Sequence, residues 1–188
     1  MFRLGIKSLT MDDIAQNLGV SKKTIYQYVE NKAELVAKVM DITIEGQRLE
    51  CEEFLKEEGN PIDQLLKMYT QNSRMMLEIN PSLIFELNKY YPDSWAKLNN
   101  FKNEYIFDAV RANLHHGIGM GLYRYDLDID IIAKFYTSRS LDMFNQDMFP
   151  PSRYPSRMVF RQMFVYHVRG IASPKGLEYI EKEFSLKI

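Results

Sequence analysis

A chain of 188 residues is long enough for one or two domains around a sizeable core. Its 46% hydrophobic and 26% charged residues are ordinary globular values, and a formal net charge of -1 excludes a protein that coats nucleic acid by bulk charge. Cys51 is the single cysteine, which excludes an intrachain disulfide and fits a cytoplasmic location; no apolar run has the length of a signal core or a membrane span.

Met1 to Gly5 reads as the last turn of a helix, followed by a loop from Ile6 to Leu9. The stretch Thr10 to Lys32, TMDDIAQNLGVSKKTIYQYVENK, reads as two short helices around a glycine turn. Met11, Ile14, Ala15 and Leu18 fall at i, i+3, i+4 and i+7 and share one face of the first helix. Thr10 is placed to cap it, with Asp12 and Asp13 in its positive first turn. Gly19 ends it, because its conformation is one that side chains resist. Ser21 caps the second helix, which carries Ile25 and Val29 inward, and Leu18 with Ile25 is expected to close the small core. Lys22, Lys23, Thr24, Tyr26, Gln27 and Tyr28 lie at or near the outer face. The helix start suits a phosphate, and Thr24 and Gln27 suit base edges. Lys32 opens the following helix near the same face. The expected DNA-contacting set is therefore Thr10, Ser21, Lys22, Lys23, Thr24, Tyr26, Gln27, Tyr28 and Lys32.

The run TMDDIAQNLGVSKKTIYQYVENKAEL resembles the signature of the TetR family of bacterial transcriptional regulators: a threonine ahead of D-D-I-A, then G-V-S-K, T-I-Y-x-Y and K-x-x-L. The resemblance is dense at the N-terminus and weak beyond it. It implies an all-α homodimer with an N-terminal helix-turn-helix DNA-binding head on a palindromic operator. Its C-terminal helical domain would dimerise and hold a small-molecule inducer. The family pattern also has a basic tail and a full first helix ahead of the motif, so the sequence is expected to begin late, with that helix truncated.

Asn31 with Glu34 forms a capping pair for a helix expected to run to Lys56 and to join head to body. This gives two expected units, residues 1–45 as the DNA-binding head and residues 46–188 as the effector-binding and dimerisation domain. Pro61 starts a helix continuing through Ile79. A short one spans Ser82 to Lys89, and a long one Asp93 to His115, stopped by Gly117, Gly119 and Gly121. After a connector, Leu122 to Leu127, helices are expected over Asp128 to Gln146, Ser156 to Gly170 and Pro174 to Phe184, with a proline-rich loop from Pro150 to Pro155. No stretch alternates convincingly enough for a strand.

The body shows no catalytic or metal pattern. His115 and His116 are adjacent, so they point to different sides of a helix, and His167 is remote in sequence. No G-x-S-x-G or H-E-x-x-H occurs, and Gly117 to Gly121 lacks the strand and lysine of a phosphate loop. No enzyme activity, cofactor or metal is therefore expected. Aromatic and methionine side chains on the middle helices suit a cavity for a largely apolar effector, with Met76, Phe85, Trp95 and Tyr105 as its expected lining. The helices after Asp128 and Ser156 are apolar on more than one side, and Phe135, Arg139, Met143, Met163, Phe164 and His167 are expected at a homodimer seam, the alternative being that both helices lie inside a monomer core.

The function these features imply is a sequence-specific DNA-binding transcriptional regulator, a ligand-released homodimeric repressor. Its partners would be an operator duplex and a small molecule, with no membrane. The alternative is a helical small-molecule-binding or interaction protein with a degenerate DNA head.

Overall fold

The computed structural model describes residues 5–56, 58–76, 79, 80, 82–139 and 141–184, with side chains described at all of these except 72–76, 143 and 184. The described residues are all-helical. Two short N-terminal helices come first, α1 (Met11–Leu18) and α2 (Lys22–Ile25), followed by the long α3 (Lys32–Lys56). The body follows with α4 (Pro61–Met76), α5 (Leu83–Tyr90), α6 (Pro92–Phe101), α7 (Phe107–Gly119), α8 (Ile129–Arg139), α9 (Ser156–Ile171) and α10 (Pro174–Phe184). A π-helical turn, Lys102–Ile106, joins α6 to α7 without interrupting the rod. The chain's one isolated antiparallel bridge among the described residues pairs Tyr123 with Ala172. Among the described residues no helix is long and apolar enough to cross a membrane.

Local sequence accounts for the ends of these helices. Thr10 and Asp13 form a reciprocal capping box at α1, and Gly19, at φ 67°, sends its N–H back to the Ala15 and Gln16 carbonyls. The second helix is shorter than its sequence suggests: α2 is a single turn, continued by turns through Tyr28. The expected helix after Asp128 also ends early, at Arg139. Beyond it Phe144 turns inward against Val159, which takes the chain off the helix axis through a 3-10 turn, Asp142–Phe144. Conversely, the long middle helix runs past Gly117 to Gly119, with Met120 as its C-cap, and Gly121 follows at φ 69°.

Gly117 is inside α7 because of packing. A Cβ there would lie 2.0 Å from the Tyr123 ring, so only glycine lets that ring lie across the helix. Tyr123 is 2% exposed, and its hydroxyl donates to Asn113 Oδ1 at 3.0 Å. Asn113 Nδ2 in turn donates to the Pro61 carbonyl and to Gln64 Oε1. The body core is built around this satisfied polar set, from Ile62, Leu65, Val110, Leu114, Ala133 and Val168. A second cluster joins Ile6 to Val36 and Met40 of α3 and to Leu83 and Leu87 of α5. A third, Met11, Ala15, Ile25 and Val29, holds α1 and α2 together. Leu18, in the last turn of α1, is not part of it; the side chain is 65% exposed.

Candidate nucleic-acid interface and ligand cavity

The four-residue core of the head presents one polar surface. Lys23, Tyr26, Gln27 and Tyr28 are exposed on and after α2, Tyr28 to 72%. Other members of the expected set are already engaged. Thr10 Oγ1 accepts the Asp13 N–H and donates to Asp13 Oδ2, which holds the Asp13 carboxyl below its usual range. Ser21 Oγ accepts the Thr24 N–H at 3.0 Å and shares a hydrogen bond with Thr24 Oγ1. Lys22 is paired with Asp12 at 2.9 Å across the turn. Lys32 donates to the Leu9 carbonyl and is half-buried, so its ammonium ties the loop before α1 to α3. With Ser21 capping the Thr24 amide and only one turn behind it, α2 offers side chains rather than a helix dipole.

A cavity of about 1000 Å³ lies between α3, α4, α5, α6, α8 and α9. Its wall is largely apolar: Met40 and Phe54 from α3, Leu83 and Leu87 from α5, Phe101 from α6 and Phe160 from α9. Lys67, Glu50, Glu53 and Arg124 are exposed charges at its edges. Cys51, Lys102, Tyr136 and His167 supply polar groups to the wall. Burial pushes the Cys51 thiol up, with Glu50 adding to it, and pulls the Lys102 ammonium down against the opposing effect of Asp142. His167 packs against Tyr136 with the rings tilted at 51° and their centroids 4.7 Å apart, and burial lowers its pKa to about 4. Among the described residues His167 Nε2 has no hydrogen-bond partner. No cluster of His, Cys, Asp or Glu that could hold a metal occurs among the described residues.

The expected lining is corrected by this geometry. Leu83 and Leu87 face the cavity, so Phe85 midway between them points outward, is 59% exposed and has Lys89 over its ring. Trp95 packs instead against the Ile6 and Val36 cluster. Tyr105 misses the wall because the π turn places Ile106, five residues after Phe101, on the cavity side; Tyr105 lies against Phe101 and Arg48 at the surface. The Met76 side chain is outside the described residues.

The expected seam is corrected as well. On α9, Val159, Phe164 and Val168 are buried in the protomer's own core, with Phe164 stacked on Tyr69 at 4.3 Å. Met163 and His167 line the cavity. Phe135 and Arg139 of α8 are exposed, Phe135 to 60%, and Arg139 bonds Asp142 at 3.0 Å. The Met143 side chain is outside the described residues. The open apolar surface of these helices is carried by Ile131, Phe135, Met158 and Tyr166. The α9 sequence is apolar on more than one side, so its periodicity could not say which side faces the core.

Residues 2–39 match the family model described as bacterial regulatory proteins, tetR family. Over these residues the chain is similar to the TetR family. The chain is 35% identical over 98 residues to the HTH-type transcriptional regulator YvaF of Bacillus subtilis, a match covering 52% of each chain. The HTH-type transcriptional repressor KstR2 of Mycolicibacterium smegmatis is 20% identical over 142 residues, 70% of this chain and 65% of that one. The chain thus spans only about half to two thirds of the length of these relatives. The whole TetR-type fold is shared with the crystal structure of Escherichia coli NemR in its reduced form, at a TM-score of 0.70 and 16% identity over 92% of this chain and 91% of that one.

Proposed function

We propose that this protein is a DNA-binding transcriptional regulator, a homodimeric repressor that leaves a palindromic operator when a small molecule enters the cavity. The observation that carries the reading is the surface of Lys23, Tyr26, Gln27 and Tyr28, raised on a compact two-helix head whose sequence matches the family. Regulators and a repressor among the relatives support it. In this reading residues 1–45 are the DNA head and 46–188 the effector and pairing unit, with α3 crossing between them. The open face of Ile131, Phe135, Met158 and Tyr166 pairs two protomers, and their heads meet successive major grooves of a two-fold site. The effector acts through its affinity difference between two head spacings. The protein is cytoplasmic and has no catalytic role.

Selection of bound duplexes from a random pool tests this. An enriched inverted repeat is the expected outcome, with affinity falling steeply as salt rises because lysines displace phosphate counterions. Lys23→Ala lowers affinity for all duplexes and reduces the salt slope by about 1, whereas Gln27→Ala changes the preferred sequence more than the affinity. A protein that stays monomeric and enriches no sequence refutes the proposal and favours an interaction protein with an idle head.

A further inference from the structure

Resting on the reading that the cavity takes a small molecule, we infer that its occupant is an uncharged, mainly apolar compound carrying a hydroxyl or carbonyl oxygen that hydrogen-bonds to His167. Three observations converge on this class. The wall facing the space is largely apolar, with Met40 and Phe54 of α3, Leu83 of α5, Phe101 of α6 and Phe160 of α9, and a volume of about 1000 Å³ is ample for a drug-sized molecule. The exposed charges at its edges are of both signs, Lys67 and Arg124 beside Glu50 and Glu53, so they select no strongly charged ligand. Within the wall, His167 Nε2 is sealed from water and has no partner among the described residues, and leaving such a nitrogen unpaired is costly.

The flanks of the ring supply no bond to that nitrogen. One neighbour is the Tyr136 ring, tilted against it at 4.7 Å. His167 forms part of the cavity wall, so a turn of its ring presents that nitrogen to an occupant, which then supplies the partner. A buried imidazole held neutral bonds a neutral oxygen at little cost, as donor or acceptor. A carboxylate would also have to be desolvated, and the half-buried cation of the wall, Lys102, already feels Asp142.

Three probes of matched shape separate the possibilities: 1-naphthol, 1-methylnaphthalene and 1-naphthoate, titrated calorimetrically into the full chain. Partition alone favours the methyl compound, since a hydroxyl is harder to desolvate. The expected result is 1-naphthol binding about tenfold more tightly than 1-methylnaphthalene. The difference disappears in His167→Phe and is partly retained in His167→Gln. 1-Methylnaphthalene should bind His167→Phe as it binds the unmodified protein, which shows that the variant is folded. The ¹⁵N resonance of His167 Nε2 should move with 1-naphthol and stay with 1-methylnaphthalene. Equal binding of the two, or a preference that survives in His167→Phe, overturns the inference and leaves the cavity reading intact. Tightest binding of 1-naphthoate, lost in Lys102→Gln, overturns it in favour of an anionic ligand. Failure of all three probes overturns the cavity reading and this inference with it.

Discussion

The carboxylate of Glu86 accepts the backbone N–H of Ile6 at 2.6 Å, and α5 thereby holds the loop that leads into α1. The same carboxylate accepts the Lys7 N–H at 2.9 Å and the Ser82 hydroxyl at 3.0 Å, while Ile6 is fully buried against Leu83 and Leu87. Leu83 and Leu87 also line the cavity. One short helix thus carries the cavity wall on one face and the tether of the head beside it. An occupant that shifts α5 acts directly on the loop that positions α1.

Glu86→Gln is expected to cost about 1–3 kcal/mol, because charge-assisted bonds to two backbone amides are replaced by weaker ones. Amide exchange should quicken at Ile6 and Lys7 and stay unchanged around Asn113. Burial works to raise the Glu86 pKa, but the donors from Lys7, Ser82 and Ile6 outweigh it and hold the carboxyl below its usual range. Its contribution is therefore fully present above the unfolded value, about 4.3, and is lost as pH falls through the folded value. The stability gap between the two proteins should be full at pH 7 and close toward pH 3; a gap that widens on acidification contradicts the tether.

Gly117→Ala should destabilise by about 1–3 kcal/mol through overpacking, lowering Tm by several degrees. The cause is the Tyr123 ring, 2.0 Å from the new Cβ. Truncating the ring relieves it, so the loss in Gly117→Ala combined with Tyr123→Leu should be less than the sum of the separate losses. Additive losses in thermal melts would mean that the two positions do not meet.

The head was legible in the sequence because its determinants are local. Thr10 with Asp13, Gly19 at positive φ and Ser21 with Thr24 each act within a few residues, and the structure shows all three. The cavity was not legible, because its wall is decided by tertiary rotation. Phe85 and Leu87 are both large and apolar, yet two residues on a helix turn them to opposite sides. Tyr105 was lost to the extra residue of the π turn, which a regular 3.6-residue period does not foresee. On α9, Phe164 and Tyr166 look alike in sequence, and only the packing of Tyr69 on Phe164 buries one and leaves the other 86% exposed. Gly117 reads as a helix stop until Tyr123 is placed against it.

Phe135 and Tyr166 are the residues to test for pairing. Both are large and exposed, at 60% and 86%, on adjacent helices of the open apolar face. Phe135→Glu with Tyr166→Glu should convert a dimer into a monomer in light scattering and reduce operator affinity, while leaving the helical signal intact. Phe164→Ala should instead lower stability by about 3–5 kcal/mol, because it hollows the protomer's own core. A dimer that survives the double glutamate change moves the seam elsewhere.

Cys51 reports independently on the cavity. The thiol lines its wall from α3, and burial, reinforced by Glu50, raises its pKa above the usual value. The thiolate is the reacting species, so alkylation by iodoacetamide at pH 8 should be slower than for a free thiol, and the rate should rise with a midpoint above about 8.5. A raised value means less thiolate at every pH below the midpoint, so the difference from a free thiol is largest near neutrality. Filling the cavity with an apolar probe should slow the reaction further, by excluding both water and reagent. A rate equal to that of a free thiol, indifferent to the probe, would place Cys51 on open surface, and α3 would then no longer form that side of the wall.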